Sequence, residues 1–191
     1  ERNDSETIKS IKNCKCEILY QIGKGYGDAL IQGINNTKTK YFSIFNADGS
    51  FLSSELKTMY NLLQSNKCDF VFGSRYMPGG LSEDDTIITF VGNKIFTLIG
   101  NIFFSLNISD ILYTFVMGNT YCAKNLDLKE KRFSFCVELP IKAKRNGYTL
   151  LTIPCHEKPR IGGKKKVNAF KDGFLILMSM IKLFFSSSKI K

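Results

Sequence analysis

The chain has 191 residues, a net charge of +10 at neutral pH and an apolar content of 43%. This length supports one domain with a substantial core, and the composition is that of a globular protein, not of a disordered chain. The basic balance suggests a polyanion, a phosphorylated ligand or an anionic membrane surface as a partner. The six cysteines form no CxxC pair and match no zinc spacing, so we expect free thiols in a reducing compartment.

The first half of the chain alternates between strand and helix signals that are separated by short joints. Strands are predicted at 16–22, 41–45 and 68–76, and helices at 23–36, after a glycine-rich turn, and at 53–66, with Ser53 or Ser54 as the N-cap. This alternation predicts an α/β domain with a mostly parallel sheet flanked by helices. In such sheets, ligands bind beyond the carboxyl ends of the strands.

The second half contains two long apolar segments and a basic loop. Its predicted elements are an apolar helix over 86–108, a helix over 133–148, a strand over 149–154, a glycine-containing basic loop over 155–167 and a final apolar helix over 169–185. Polar residues interrupt the first apolar segment, and the uncharged part of the last one is too short to span a bilayer, so both are expected at a membrane surface or packed on the domain. We therefore divide the chain into a domain over 1–168 and a C-terminal helical segment over 169–191.

An amide and a carboxylate follow the strand at 41–45. Asn46 and Asp48 supply oxygen atoms at the carboxyl end of that strand, and hard cations such as Mg²⁺ or Mn²⁺ prefer oxygen ligands. The alternative is an Asx turn before Gly49, which would use the same side chains for local hydrogen bonds only.

Two cationic groups are placed near predicted strand ends. Arg75 follows the strand at 68–76 and is suited either to clamp a phosphate or to form a surface ion pair. Arg160 precedes two glycines and the run Lys164, Lys165 and Lys166, which favours an anion-binding loop over a solvated charge run.

Two carboxylates in apolar surroundings are candidate bases. Asp110 lies in "ISDILY" and Glu138 in "CVELP", and each is either a base or electrostatic partner or a structural carboxylate. His156 is the only histidine in the chain, which argues against a catalytic triad built on histidine.

Seven stretches carry a family resemblance in their order along the chain. They are "GKGYGDALIQGI", "FNADGS", "DFVFGSRY", "VGNKIFTLIGN", "SDILYTF", "FCVELPIKAKRNGY" and "IPCHEKPRIGGKKK". Together they resemble the family 2 glycosyltransferases over nearly the whole chain, most closely the dolichyl- or polyprenyl-phosphate sugar synthases. The resemblance implies the GT-A fold, a Rossmann-like α/β architecture, and a nucleotide-sugar donor used with Mg²⁺ or Mn²⁺.

The resemblance also implies roles for individual residues. "NAD" stands where the family has DxD, so Asp48 matches the metal-binding aspartate and Asn46 replaces the first one. The donor and its phosphates are assigned to Lys24, Asp48 and Arg75; the acceptor phosphate is assigned to Arg160, Lys164 and Lys166; the catalytic candidates are Asp110 and Glu138. The family's arginine after the Asp110 stretch is absent, because "YTFV" takes its place.

These observations lead to one preferred function and several alternatives. We expect transfer of a hexose from GDP-mannose or UDP-glucose to a polyprenyl phosphate, by a peripheral enzyme on the cytoplasmic face of the cell membrane. The alternatives are a saccharide acceptor, a catalytically impaired relative or a basic nucleic-acid-binding module. No nucleic acid partner is expected, because the basic residues flank strand ends and glycines instead of alternating with aromatic residues.

The start of the chain carries a structural expectation of its own. "ERNDSETIKSI" resembles only the tail of a motif that the family has after its second strand, so we expect the family's N-terminal strands to be missing from this sequence. A strand at 16–20 would then lack its usual neighbour. We expect residues 16–20 either to be poorly anchored or to pair directly with 41–45.

Overall fold

The computed structural model describes residues 5–162 and 167–186. Its helices are α1 (Ser5–Ser10), α2 (Tyr26–Asn36), α3 (Ser53–Gln64), α4 (Ile87–Phe104), α5 (Thr120–Lys124), α6 (Phe135–Arg145) and α7 (Ala169–Phe185). Its strands are β1 (Tyr41–Ile44), β2 (Phe70–Ser74), β3 (Leu81–Ser82), β4 (Val116–Asn119), β5 (Leu150–Pro154) and β6 (His156–Glu157). Strands and helices thus alternate through much of the chain, as the sequence predicts.

The main sheet has four strands in the order β1-β4-β2-β5. β2 and β5 pair in parallel, whereas β4 lies between β1 and β2 and is antiparallel to both. Three strands therefore run in the same direction and β4 alone is reversed. Most strands therefore share one direction, as predicted, but the sheet is mixed because β4 is antiparallel to both of its neighbours. The carboxyl ends of β1, β2 and β5 meet the amino end of β4 at one edge.

Helices cover both faces of this sheet because the strand residues alternate between them. Phe70 and Phe72 of β2 point to the side of α2, α5 and α6, while Val71 points to the side of α3. Gly118 of β4 lies opposite Phe42 and Phe70, whose rings meet edge-on at 6.4 Å. A Cβ at position 118 would lie 2.4 Å from the Phe70 ring, so glycine is required there.

A third layer is built by α4 and α7, which pack on α6 and on each other. Ile176, Met180 and Leu183 of α7 are buried there with residues of α4 and α6. The predicted helix at 169–185 is confirmed to the residue. It shares a core with the preceding part of the chain, so the proposed division at residue 168 does not coincide with a break in packing.

Two local predictions are wrong. Residues 16–22 form no strand, and their apolar side chains are exposed, including Ile18, Leu19 and Tyr20. This matches the first of the two expected outcomes, because an apolar run without a strand partner gains no ladder hydrogen bonds. The N-cap of α3 is Leu52, not Ser53 or Ser54, and it makes no side-chain cap.

All six cysteines are free. Cys14 and Cys16 are exposed, and the other four are buried. The expectation of a reducing compartment stays a prediction.

Candidate functional site

A large cleft lies at the sheet edge where the carboxyl ends of β1, β2 and β5 meet. It encloses about 1210 Å³, enough for a substrate of nucleotide-sugar size. Asn46 and Asp48 after β1, Arg75 after β2 and Arg160 after β6 all line it. Four residues that the sequence assigns to ligand binding thus come together, as expected for ligand sites of α/β sheets.

Asp48 combines the two interpretations that the sequence left open. Its Oδ1 accepts hydrogen bonds from the Ser50 backbone N–H at 3.1 Å and the Ser50 hydroxyl at 2.7 Å, which is an Asx turn. Its Oδ2 makes neither bond and lies 3.7 Å from Nη1 of Arg160. The turn therefore fixes the carboxylate while the second oxygen faces the cleft. Asn46 lines the same cleft and makes no hydrogen bond to another described residue.

Arg160 bridges two carboxylates across the cleft. Its Nη2 donates to Asp84 Oδ2 at 3.1 Å, and this hydrogen bond to Asp84 is the main cause of the raised pKa of the guanidinium. The backbone holds the same loop, because the Ile161 N–H donates to the Asp48 carbonyl and the Lys158 N–H donates to the Ser50 carbonyl. This loop therefore follows residues 48–50 and delivers a fixed positive charge beside Asp48.

Arg75 is the centre of a buried ion-pair network. Its Nε and Nη2 donate to the two oxygens of Asp110 at 2.7 and 3.0 Å, and its Nη1 donates to Glu157 at 3.0 Å. Burial lowers the pKa of the guanidinium, but the charge and hydrogen bonds of Asp110 outweigh burial and hold that pKa well above its ordinary value. Arg75 was predicted to bind a donor phosphate. Its side chain binds carboxylates and thereby positions them at the cleft, and its role in phosphate binding stays a prediction.

Asp110 and Glu138, the two candidate bases, do not line the cleft. Asp110 is 1% exposed, and it accepts hydrogen bonds from Arg75 and from the Asn93 amide of α4. Glu138 is 2% exposed and accepts the backbone N–H groups of Lys129 and Glu130. Both carboxylates therefore make structural contacts, because their oxygens accept donors from the protein, and their catalytic roles stay predictions.

The predicted role of Lys24 is also not supported by its position. Lys24 is exposed and does not line the cleft, although Gly25 and Tyr26 do. Gly25 has φ +109°, and a Cβ there would lie 2.2 Å from the Lys131 carbonyl oxygen. The glycine-rich turn is thus shaped by packing against the 130–132 loop. Lys164 and Lys166 lie outside the described residues.

Three carboxylates of the cleft were not identified from the sequence. Asp84 and Asp85 stand just before α4, and Glu157 ends β6. Asp85 accepts from the Thr89 hydroxyl at 2.8 Å and also bonds the Tyr76 hydroxyl, while Glu157 accepts from the Ser82 hydroxyl at 2.6 Å. In the sequence, the "EDD" run at 83–85 could have indicated Asp84 and Asp85 as site residues, but such a run is also typical of an ordinary charged loop.

The comparisons with known proteins agree with this architecture. A family model described as glycosyl transferase family 2 matches residues 3–126. The low-salt glycan biosynthesis hexosyltransferase Agl6 of Haloferax volcanii is 24% identical over 156 residues, which cover 80% of this chain and 37% of that relative. The chain therefore spans well under half the length of this curated relative.

Solved structures of glucosyl-3-phosphoglycerate synthase from Mycobacterium tuberculosis share the fold. The complex with phosphoglyceric acid matches with a TM-score of 0.66 at 8% identity, over 98% of this chain and 67% of that one. The complex with Mn²⁺, uridine diphosphate and phosphoglyceric acid matches with a TM-score of 0.64 at 9% identity, over 89% and 57%. These matches confirm the predicted GT-A type of α/β fold. With a family model that covers more than half of its length, the chain belongs to glycosyl transferase family 2.

Proposed function

We propose that this chain transfers a hexose from a nucleoside-diphosphate sugar, of the GDP-mannose or UDP-glucose type, to a polyprenyl phosphate at a membrane surface. The observation that carries the proposal is the cleft of this family 2 glycosyltransferase, in which Asp48 and Arg160 face each other at the strand ends. A carboxylate that can share a cation with a diphosphate and a fixed guanidinium that can hold a second phosphate suit the two substrates.

The donor half of the proposal rests on Asp48 and on the relatives. One relative is named a hexosyltransferase, and the M. tuberculosis synthase has been solved with Mn²⁺ and UDP-glucose. The described residues contain no group of three or more His, Cys, Asp or Glu side chains suited to hold a metal. One carboxylate plus substrate phosphates is, however, a common way to hold Mg²⁺ or Mn²⁺, so Asp48 Oδ2, assisted by the Asn46 amide oxygen, fits that metal. When bound, the metal would neutralise the diphosphate leaving group.

The acceptor half rests on how the carboxylates of the cleft are engaged. A hydroxyl acceptor needs a general base, whereas a lipid phosphate is already an anion and needs none. Asp84, Asp85 and Glu157 line the cleft, and each accepts a hydrogen bond from a neighbouring side chain of the protein. Since these bonds engage the carboxylates with groups of the protein, they support a phosphate acceptor over the second candidate, a saccharide.

The proposed membrane association rests on the outer faces of α4 and α7. Large apolar side chains are exposed on both helices: Ile87, Ile88, Val91, Ile95, Leu98, Ile102 and Phe103 on α4, and Phe170, Phe174, Leu177, Met178, Ile181, Phe184 and Phe185 on α7. Such a continuous apolar face suits insertion into the interfacial region of a bilayer. Among the described residues, α4 alone has the length and apolarity needed to cross a membrane.

We place the chain on the cytoplasmic face of the cell membrane as a peripheral protein. α4 supports peripheral binding because its inward face carries polar side chains that are bonded to the domain, through Asn93 to Asp110 and through the Thr97 hydroxyl to the Ile111 N–H. The free thiols suit a reducing compartment. A polyprenyl tail would then reach the cleft from the same side as the apolar face.

The donor site is tested by Asp48→Ala. We expect calorimetry with UDP-glucose or GDP-mannose and Mn²⁺ to show at least a tenfold loss of affinity, and Asn46→Ala to show a smaller loss because an amide is a weaker ligand. Asp127→Ala, at an exposed carboxylate outside the cleft, is the matched control. Unchanged affinity in Asp48→Ala would remove the metal assignment. Transfer to a saccharide but not to a polyprenyl phosphate would favour the second candidate.

A further inference from the structure

A second groove, separate from the cleft, lies between the loop that precedes α6 and the side of α7. It encloses about 440 Å³ and shares no lining residue with the cleft. The loop contributes Glu130, Lys131 and Arg132, and α7 contributes Met178, Ser179 and Lys182. The groove therefore combines charged, hydroxyl and apolar groups beside the exposed apolar face of α7.

The charge balance of this groove is positive. Lys182 Nζ lies 3.8 Å from Glu130, and Lys131 Nζ lies 3.8 Å from Asp28, so both lysines make only long ion pairs. Arg132 is exposed and makes no ion pair with any described residue. The groove is thus lined by three cations and by one carboxylate, that of Glu130, which only Lys182 contacts. An anion can bind there without displacing a tight internal salt bridge.

The hydroxyl of Ser179 is the second observation that points to a ligand. Ser179 is 5% exposed, and its Oγ is buried without a hydrogen-bond partner among the described residues. Leaving a buried hydroxyl unpaired is unfavourable, and a phosphate oxygen is an acceptor suited to it. On the same wall, Met178 is 47% exposed and leads to the apolar face of α7.

We propose that this groove binds the phosphate of an anionic membrane lipid. Arg132 and Lys182 would neutralise the phosphate, the Ser179 hydroxyl would donate to it, and Met178 would contact the apolar part of the lipid. This site differs from the acceptor site of the cleft, and its role is to orient the protein at the bilayer. The inference rests on the proposed membrane-surface function, since only there does a lipid reach α7.

The test uses a soluble probe, dihexanoyl phosphatidylglycerol below its micelle concentration, with the whole chain. The variant Arg132→Gln/Lys182→Gln is compared with Lys57→Gln/Lys67→Gln, which removes the same charge at exposed positions in and after α3. An exposed ion pair contributes up to about fivefold in affinity, so we expect the groove variant to bind about 5-fold to 25-fold more weakly. The control should change less than twofold. Ser179→Ala keeps the charge and should still lose affinity.

Three results would overturn the proposal. Equal losses in the two double variants would show diffuse charge attraction, and inorganic phosphate binding as tightly as the lipid would show a site for free anions. Full affinity in Ser179→Ala would remove the hydroxyl from the site. Thermal unfolding of each variant checks that it is folded. Because monomeric lipid is measured without vesicles or donor, loss of vesicle binding or hexose transfer alone would count against the proposed function and not against this groove.

Discussion

Asp110→Asn should destabilise the protein strongly while keeping the shape of the side chain. Asp110 is 1% exposed and neutralises the buried guanidinium of Arg75 through two hydrogen bonds of 2.7 and 3.0 Å. Removing one partner of a buried ion pair costs about 3–5 kcal/mol. Arg75 keeps Glu157 at 3.0 Å, so we expect a loss near the lower limit, about 3 kcal/mol. This is a large part of a typical unfolding free energy.

Urea denaturation at neutral pH measures this loss as a shift of the midpoint with an unchanged slope. Asp127→Asn removes the charge of an exposed carboxylate and should leave the midpoint unchanged. In the double variant Arg75→Met/Asp110→Asn, the losses should not add, because both residues belong to one network. If Asp110→Asn kept full stability and donor affinity but lost hexose transfer, Asp110 would contact the reacting groups and the structural assignment would be wrong.

Three further predictions follow from backbone geometry, burial and the apolar face. Gly25→Ala should lower the unfolding temperature because of its positive φ and the Lys131 carbonyl, whereas Gly33→Ala, in α2 with open space around its Cβ, should raise it. At pH 8, a thiol reagent should modify Cys14 and Cys16 rapidly and the other four thiols only after denaturation, because burial raises the pKa of those thiols; rapid reaction of more than two would contradict this. The protein should float with anionic liposomes at low salt and less at high salt, and resistance to carbonate extraction would contradict peripheral binding.

The elements with a strong local pattern were predictable. The apolar runs that became β1, β2 and β5 are short and bounded by turn residues, and the helices α2, α3 and α7 follow a helical period. Such patterns act through neighbouring residues, so they survive without knowledge of the rest of the fold. Residues 16–22 carry the same kind of pattern but form no strand, because a strand also needs a partner and none is hydrogen-bonded to them.

β4 is a strand that its local sequence does not predict. "VMGN" at 116–119 has little strand signal of its own, and Gly118 argues against a strand interior. The strand exists because β1 and β2 leave a gap that it fills, with glycine giving room for the rings of Phe42 and Phe70. This information is divided among segments far apart in the chain, so no local window contains it.

The candidate site was predictable in position and less so in chemistry. Asn46, Asp48 and Arg160 line the cleft as expected, because strand ends locate the site in this type of sheet. Whether Arg75 binds a phosphate or a carboxylate depends on Asp110 and Glu157, which are 35 and 82 residues away in sequence. Pairings at that separation are set by topology, and the reversed strand β4 is what brings the segment of Asp110 to the same edge.

The orientation of α4 joins the apolar face to the candidate site. Two of the polar residues that interrupt the apolar run face inward, where Asn93 donates to Asp110 and Asn101 bonds the backbone of Ile108 in both directions, whereas Lys94 is exposed. The helix thus directs polar side chains at the domain together with Phe104, and it leaves many of its large apolar side chains exposed, unlike an ordinary helix on a soluble domain. Because Asn93 contacts the carboxylate that holds Arg75, a shift of α4 on a bilayer would change the ion-pair network of the cleft directly.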